Sequence, residues 1–129
     1  GQDKEDNGYF SRILCVQDLS AVTAACLMVR KSVYDEVKGL DEDYRVAFND
    51  IDFCLKVRKA GYLVVYNPYA QFYHYESKSR GLEDSADKVA RFQQEIALFG
   101  SHWEDILEHG DPYYNPNLTL DKADFSLKE

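Results

Sequence analysis

The stretch Ala47-Phe48-Asn49-Asp50-Ile51-Asp52-Phe53-Cys54-Leu55-Lys56-Val57-Arg58-Lys59-Ala60-Gly61 decides how this chain is read. Asn49 is a good helix N-cap, because its short polar side chain can accept a hydrogen bond from an amide that the first turn leaves unpaired. Asp50 and Asp52 fall in that first turn, where the helix dipole favours negative charge; Lys56, Arg58 and Lys59 occupy the last turns, and Gly61 supplies the stop. These signals predict a helix over residues 50–60, with Ile51, Cys54, Leu55 and Val57 on its buried face. Asp50 and Asp52, two residues apart, must point to different sides of it. A carboxylate at a helix start is a position from which acid–base chemistry is presented, although a first-turn charge on a capped helix is the plainer reading of the same residue.

The rest of the chain is read outward from this helix. After Gly61, residues 62–66 form a β-branched and aromatic run that predicts a strand, Asn67-Pro68 a turn, and residues 70–75 a second strand with His74 near its end. Lys78 and Arg80 follow on a loop with Gly81. A long helix is predicted from Asp84 or Ser85, because Val89, Phe92, Ile96, Phe99, Trp103 and Ile106 recur at alternating three and four as an amphipathic stripe; Gly100 is the expected bend and Gly110 the end. Residues 111–117 are turn-rich and expected on the surface. Upstream, residues 21–30 are a nearly continuous apolar run that predicts a strand buried on both faces. Ser32 then caps a short helix through Val37, stopped by Gly39, and residues 40–45 form an acidic turn. Residues 1–12 are polar, without period or cap, and little order is expected there.

Length and charge bound what such residues can do. A chain of 129 residues suits one domain with a modest core, small for an enzyme that must hold two substrates. Its formal net charge of −8 argues against a nucleic-acid partner, whose affinity rests on Lys and Arg displacing counterions. The first seven residues, polar and acidic, do not make a secretory leader, and no apolar run reaches membrane-spanning length. Cys15, Cys26 and Cys54 are odd in number and form no C-x-x-C pair, so reduced and mostly buried thiols in a cytoplasmic protein are expected.

Other candidates are weaker when taken singly. Asp41-Glu42-Asp43 and Asp50-Ile51-Asp52 both have the D-x-D spacing of a metal-diphosphate motif, but one lies in a solvated turn and the other starts a helix, without an apolar strand to aim it. His74 alone reads as a satisfied histidine at a sheet edge. His102 and His109, one heptad apart, would need carboxylate or thiolate help to bind zinc.

The order of the pieces is more specific than any one of them. Residues 23–30 (TAACLMVR), 37–44 (VKGLDEDY), 49–55 (NDIDFCL), 59–62 (KAGY) and the run from Pro68 to His74 with Ser77 resemble the C-terminal, acceptor-side half of an inverting family 2 glycosyltransferase of the GT-A fold. The resemblance covers roughly residues 20–81. It implies an α/β fold with a partial GT-A-like sheet and flanking helices, to which the periodicity adds the long C-terminal amphipathic helix. It also implies a polar segment 1–19 severed from an upstream nucleotide-binding half and the acceptor-side half at 20–81; the residues themselves give a helical extension with a turn-rich tail at 82–129. The family's Glu-Asp pair falls on Asn49-Asp50, so the resemblance makes Asp50 the general base; Thr23, Ala24, Asn49 and Asp52 would contact the acceptor. Lys78 and Arg80 would neutralise diphosphate charge, and His74 would join the coordination of a divalent cation, Mn or Mg, in the complete enzyme. The implied partners are a nucleotide-sugar donor and a glycan or lipid-linked acceptor, and the isolated chain would be inactive. Asn49 and Ala24 depart from the Glu and Gly usual in relatives. Two rivals remain: a non-catalytic interaction or homodimerisation module built on the helix at 85–109, and a small metal hydrolase using Asp50, Asp52 and His74.

Overall fold

The computed structural model describes residues 7–45, 47–73, 86–122 and 124–128. Its centre is the helix that the sequence marks most strongly, α2 (Asn49–Lys59). The C-terminal end of α2 closes as the sequence predicts. The Gly61 amide donates to the Arg58 carbonyl at 2.9 Å and the Tyr62 amide to the Val57 carbonyl at 3.2 Å, a Schellman arrangement that requires the positive φ of 90° found at Gly61. The start differs from expectation. Phe48, not Asn49, is the flanking residue, and it sits in the left-handed region at φ 65°.

The preceding helix, α1 (Lys31–Glu36), is flanked by Arg30, two residues before the predicted Ser32 cap. Its end uses Lys38 as well as Gly39: both have positive φ, and the Gly39 amide reaches the Tyr34 carbonyl at 2.8 Å. At Gly39 (φ 64°) any side chain would be strained, and a Cβ would lie 2.6 Å from the Tyr34 ring, which would have to move. Lys56 ties the two helices together by donating to the Gly39 carbonyl at 2.8 Å.

Strand content is smaller than expected. The described residues contain one two-stranded antiparallel sheet, β1 (Gln17–Asp18) with β2 (Val65–Tyr66), in which Gln17 faces Tyr66 and Asp18 faces Val65. Residues 21–30 are not a buried strand. Ala24–Cys26 form a 3₁₀ turn whose flanking Thr23 hydroxyl accepts from the Ala25 amide at 3.3 Å, and Thr23, Ala24, Ala25, Cys26 and Met28 are exposed. An apolar run becomes a central strand only where other strands flank it, and none lies beside this one among the described residues. Residues 70–73 are unpaired, and residues 74 and 75 of the second predicted strand lie outside the described set. The fold is thus helices with a small sheet, consistent with an α/β class.

The C-terminal part contains α3 (Ala86–His102) and α4 (Glu104–His109). They separate at Trp103, not at Gly100, because Trp103 leaves helical geometry (φ −125°, ψ 29°) while burying its indole. The predicted stripe is only half covered. Phe99 and Trp103 are buried, whereas Val89, Phe92 and Ile96 remain 48%, 44% and 40% exposed. Two apolar clusters flank α2. Phe53, Cys54 and Val57 pack with Val33 and Val64 on one side, and Leu55 packs with Tyr44, Phe99 and Trp103 on the other. Phe53 takes the buried place expected for Ile51, which is 37% exposed. A helix gripped from two sides is a rigid mount for whatever its first turn carries.

Of the cysteines only Cys54 is buried; Cys15 and Cys26 are exposed, against expectation, and all three are free thiols. The tail beyond α4 folds back through a bridge between Leu118 and Leu127, and is anchored where Ser20 donates to Asp111 at 2.5 Å. No helix among the described residues is long and apolar enough to cross a membrane.

Candidate functional site

Asp50 is half-buried in the first turn of α2, and its carboxylate does two things. Oδ1 accepts from the amide of Ile51 at 2.9 Å, and Oδ2 accepts from the amide of Ala24 at 3.2 Å. The first bond satisfies a donor that the helix start leaves without an intrahelical partner. The second crosses 26 residues of sequence and brings the 3₁₀ turn after Thr23 to the start of α2. Ala24 and Asp50 therefore meet, with Thr23 and Asn49 as their neighbours in the chain. Thr23 and Ala24 are exposed and Asn49 and Asp50 half-buried, so this corner lies at the surface.

Asp52 takes no part in that corner. Its side chain is 3% exposed, accepts from the indole N–H of Trp103 at 2.9 Å through Oδ1, and faces the Lys56 ammonium at 3.0 Å through Oδ2. A buried carboxylate with two such partners holds α2 against the Trp103 turn, away from the Asp50 corner. The geometry gives Asp52 a structural role where an acceptor contact is expected. His74, Lys78 and Arg80 lie outside the described residues.

The loop leading into α2 is held by residues with no local signature of function. Glu95 of α3 is 3% exposed, and its two carboxylate oxygens accept from the backbone amides of Arg45 at 3.1 Å and Ala47 at 2.8 Å. Phe48 stacks on Phe99 (5.1 Å between ring centres, 28° between planes) and on Phe92 (5.8 Å, 17°). Tyr44 shares a hydrogen bond with His102 Nδ1 at 3.1 Å. Burial, reinforced by the charges of Asp52, Asp41, Asp43 and Glu95, pushes the Tyr44 phenol up from 10.0 to about 12. Burial likewise raises the Cys54 thiol, with the Asp50 charge adding to the shift. A depression of about 600 Å³ bordered by Asp43, Arg45, Arg91, Gln94, Glu95 and Leu98 flanks the same loop, but Asp50 is not in its lining.

Among the described residues no three His, Cys, Asp or Glu side chains are grouped to hold an ion. His102 is engaged by Tyr44, and His109 Nδ1 by the Asp105 carbonyl at 2.7 Å. In the Asp41-Glu42-Asp43 turn, Asp41 accepts from the Asp43 amide at 3.0 Å, as a self-contained polar turn does.

With this geometry in hand, relatives can be compared. The chain is similar to a protein named for O-antigen biosynthesis, to one named as a rhamnosyltransferase and to one of uncharacterized function. It is 32% identical over 108 residues to the O-antigen biosynthesis protein RfbC of Myxococcus xanthus, covering 84% of this chain and 8% of that one. It is 35% identical over 78 residues to the N-acetylglucosaminyl-diphospho-decaprenol L-rhamnosyltransferase of Mycobacterium tuberculosis, covering 60% of this chain and 25% of that one. It is also 50% identical over 124 residues to the uncharacterized protein y4gI of Sinorhizobium fredii, covering 95% of this chain and 14% of that one. The chain thus spans a quarter or less of the length of these curated relatives. No family model matches it, and no solved structure does.

Proposed function

We propose that this chain is the acceptor-side part of a GT-A glycosyltransferase of family 2, which moves a sugar from a nucleotide-sugar donor to a glycan or lipid-linked acceptor with inversion. The observation that carries the reading is the Asp50 carboxylate at the start of α2, hydrogen-bonded at 3.2 Å to the Ala24 amide from the segment where the acceptor is expected to lie. The partial similarity to RfbC and to the rhamnosyltransferase points the same way. In the proposed step the acceptor hydroxyl oxygen bonds to the anomeric carbon as the bond from that carbon to the diphosphate oxygen breaks. The diphosphate leaves with the electron pair, and the hydroxyl proton passes to Asp50. A positioned base of this kind contributes roughly 10²- to 10⁴-fold in rate. One carboxylate suffices, because a single displacement forms no covalent intermediate. Its two backbone hydrogen bonds fix the carboxylate, so that little reorganisation is needed when the proton arrives.

A divalent cation would help the diphosphate depart. Of the residues proposed here only His74 would touch it, with Lys78 and Arg80 near the leaving charge, and no step is built on them. The test is the configuration of the product. Incubating the intact protein with nucleotide sugars and a lipid-linked glycan acceptor, followed by proton NMR of the new anomeric centre, is expected to show the opposite configuration to the donor. A retained configuration, or hydrolysis indifferent to the acceptor, contradicts the proposal.

A second reading has one observation in its favour. Val89, Phe92 and Ile96 leave part of the α3 surface apolar and exposed, which suits an interaction or homodimerisation module. It requires that Val89→Ser with Ile96→Ser lower the mass measured by light scattering; a monomer before and after substitution dismisses it. Phe99 is not a suitable probe of this surface, because it is buried within the chain.

A further inference from the structure

We infer that Glu95 is a positioning residue for the Asp50 corner, and that α3 works as the jig on which the start of α2 is set. The inference rests on the reading of Asp50 as the base and adds to it a residue from a different helix.

A glutamate in the middle of a helix belongs in water. Burying it to 3% exposure is costly unless its oxygens find donors. Here both oxygens are used on backbone amides, those of Arg45 and Ala47, so what the carboxylate fixes is the course of the chain itself. One residue later Phe48 stands at φ 65°, a conformation that a bulky side chain adopts only when its surroundings hold it there. The surroundings are again α3, through Phe92 and Phe99 against the Phe48 ring. Beyond Phe48 the helix begins at once, with the Asp52 amide closing the first turn on the Phe48 carbonyl at 2.8 Å. The left-handed residue therefore sets the angle at which Asn49 and Asp50 leave the loop. On the far side of the same turn, Trp103 holds Asp52. Glu95, Phe99 and Trp103 follow one another at intervals of four, so one face of α3 and its end grips the loop, the left-handed residue and the first turn in succession. The bond from Asp50 to the Ala24 amide is where this alignment is read out.

The experiment uses the intact protein labelled with ¹⁵N-alanine, and reads the Ala24 amide resonance. Asp50→Ala marks the position of that resonance when its bond is lost. Glu95→Gln keeps size but sets an NH₂ against one of two donating amides; it is expected to move the Ala24 resonance toward the Asp50→Ala position and to lower kcat about tenfold, with KM for the nucleotide sugar unchanged. Leu118→Ala, a core deletion in the tail, controls for loss of stability alone and is expected to leave Ala24 in place. Should Glu95→Gln not fold, Phe92→Ala at a partly exposed position removes one face of the Phe48 clamp and is expected to act in the same direction. An unmoved Ala24 resonance in the Glu95→Gln or Phe92→Ala protein, or an equal displacement in Leu118→Ala, overturns the proposal. A displaced resonance with full transfer activity also overturns it; the reading of Asp50 falls as well only if Asp50→Asn is equally active.

Discussion

The indole N–H of Trp103 donates to the carboxylate of Asp52 at 2.9 Å, joining the end of α3 to the first turn of α2 in a buried site. Removing the donor alone strands a buried acceptor, which costs more than the bond itself contributes. Trp103→Phe is therefore expected to destabilise the protein by about 2 kcal/mol or more in urea unfolding, with packing loss added. Asp52→Leu combined with Trp103→Phe, which removes both polar partners, is expected to be less destabilised than the sum of the two single changes. Strict additivity would mean that the bond carries no coupling.

Phe48 offers a test with an unusual sign. In most positions Ala is more stable than Gly, but at φ 65° the order reverses, because Gly enters the left-handed region without steric cost. Both Phe48→Gly and Phe48→Ala lose the stacking on Phe92 and Phe99. Phe48→Gly is nonetheless expected to be the more stable by about 1 kcal/mol, measured by thermal or urea unfolding. The opposite order would show that the left-handed start of α2 is not held in solution.

Tyr44 predicts an alkaline limb. Its phenol titrates near 12 in the folded chain against 10.0 when free, so the folded state holds that proton more tightly. The corresponding stability is complete below pH 10 and is lost as pH rises toward 12. Urea midpoints of the native protein are expected to fall more steeply across that window than those of Tyr44→Phe, which has no proton to lose. Parallel curves would remove the shift.

The thiols separate by burial. Cys15 and Cys26 are exposed, while Cys54 is buried, donates toward the Val22 carbonyl at 3.7 Å and has its thiol pushed up by burial. A thiol reagent near neutral pH is expected to modify Cys15 and Cys26 in the folded protein and to reach Cys54 only after denaturant is added. Rapid modification of Cys54 would place α2 in a looser setting than the one described.

These residues also show what the sequence could and could not disclose. The run of α2 was legible because its signals are local: acidic residues in the first turn, basic residues in the last, and Gly61 after it. The opposite facing of Asp50 and Asp52 followed from helical spacing alone. The 21–30 run misled, because a strand needs partners that a single stretch cannot reveal. Phe48 was passed over since Asn49 offers the better cap chemistry, and only the α3 aromatics explain why the chain enters left-handed. Glu95 was missed because a helical glutamate ordinarily faces water. Its one hint was its place between Phe92 and Phe99, three and four residues away, on the face that turned out to be covered.

The account stands most directly on the rate of sugar transfer by Asp50→Asn in the intact protein, with urea unfolding run beside it. The side chain keeps its shape and one accepting oxygen but cannot take a proton, so transfer is expected to fall by roughly 10²-fold or more, while the unfolding midpoint falls only by the loss of one backbone bond and the first-turn charge and the protein stays folded. Transfer within a few-fold of the native rate would contradict the assignment of Asp50 as the base.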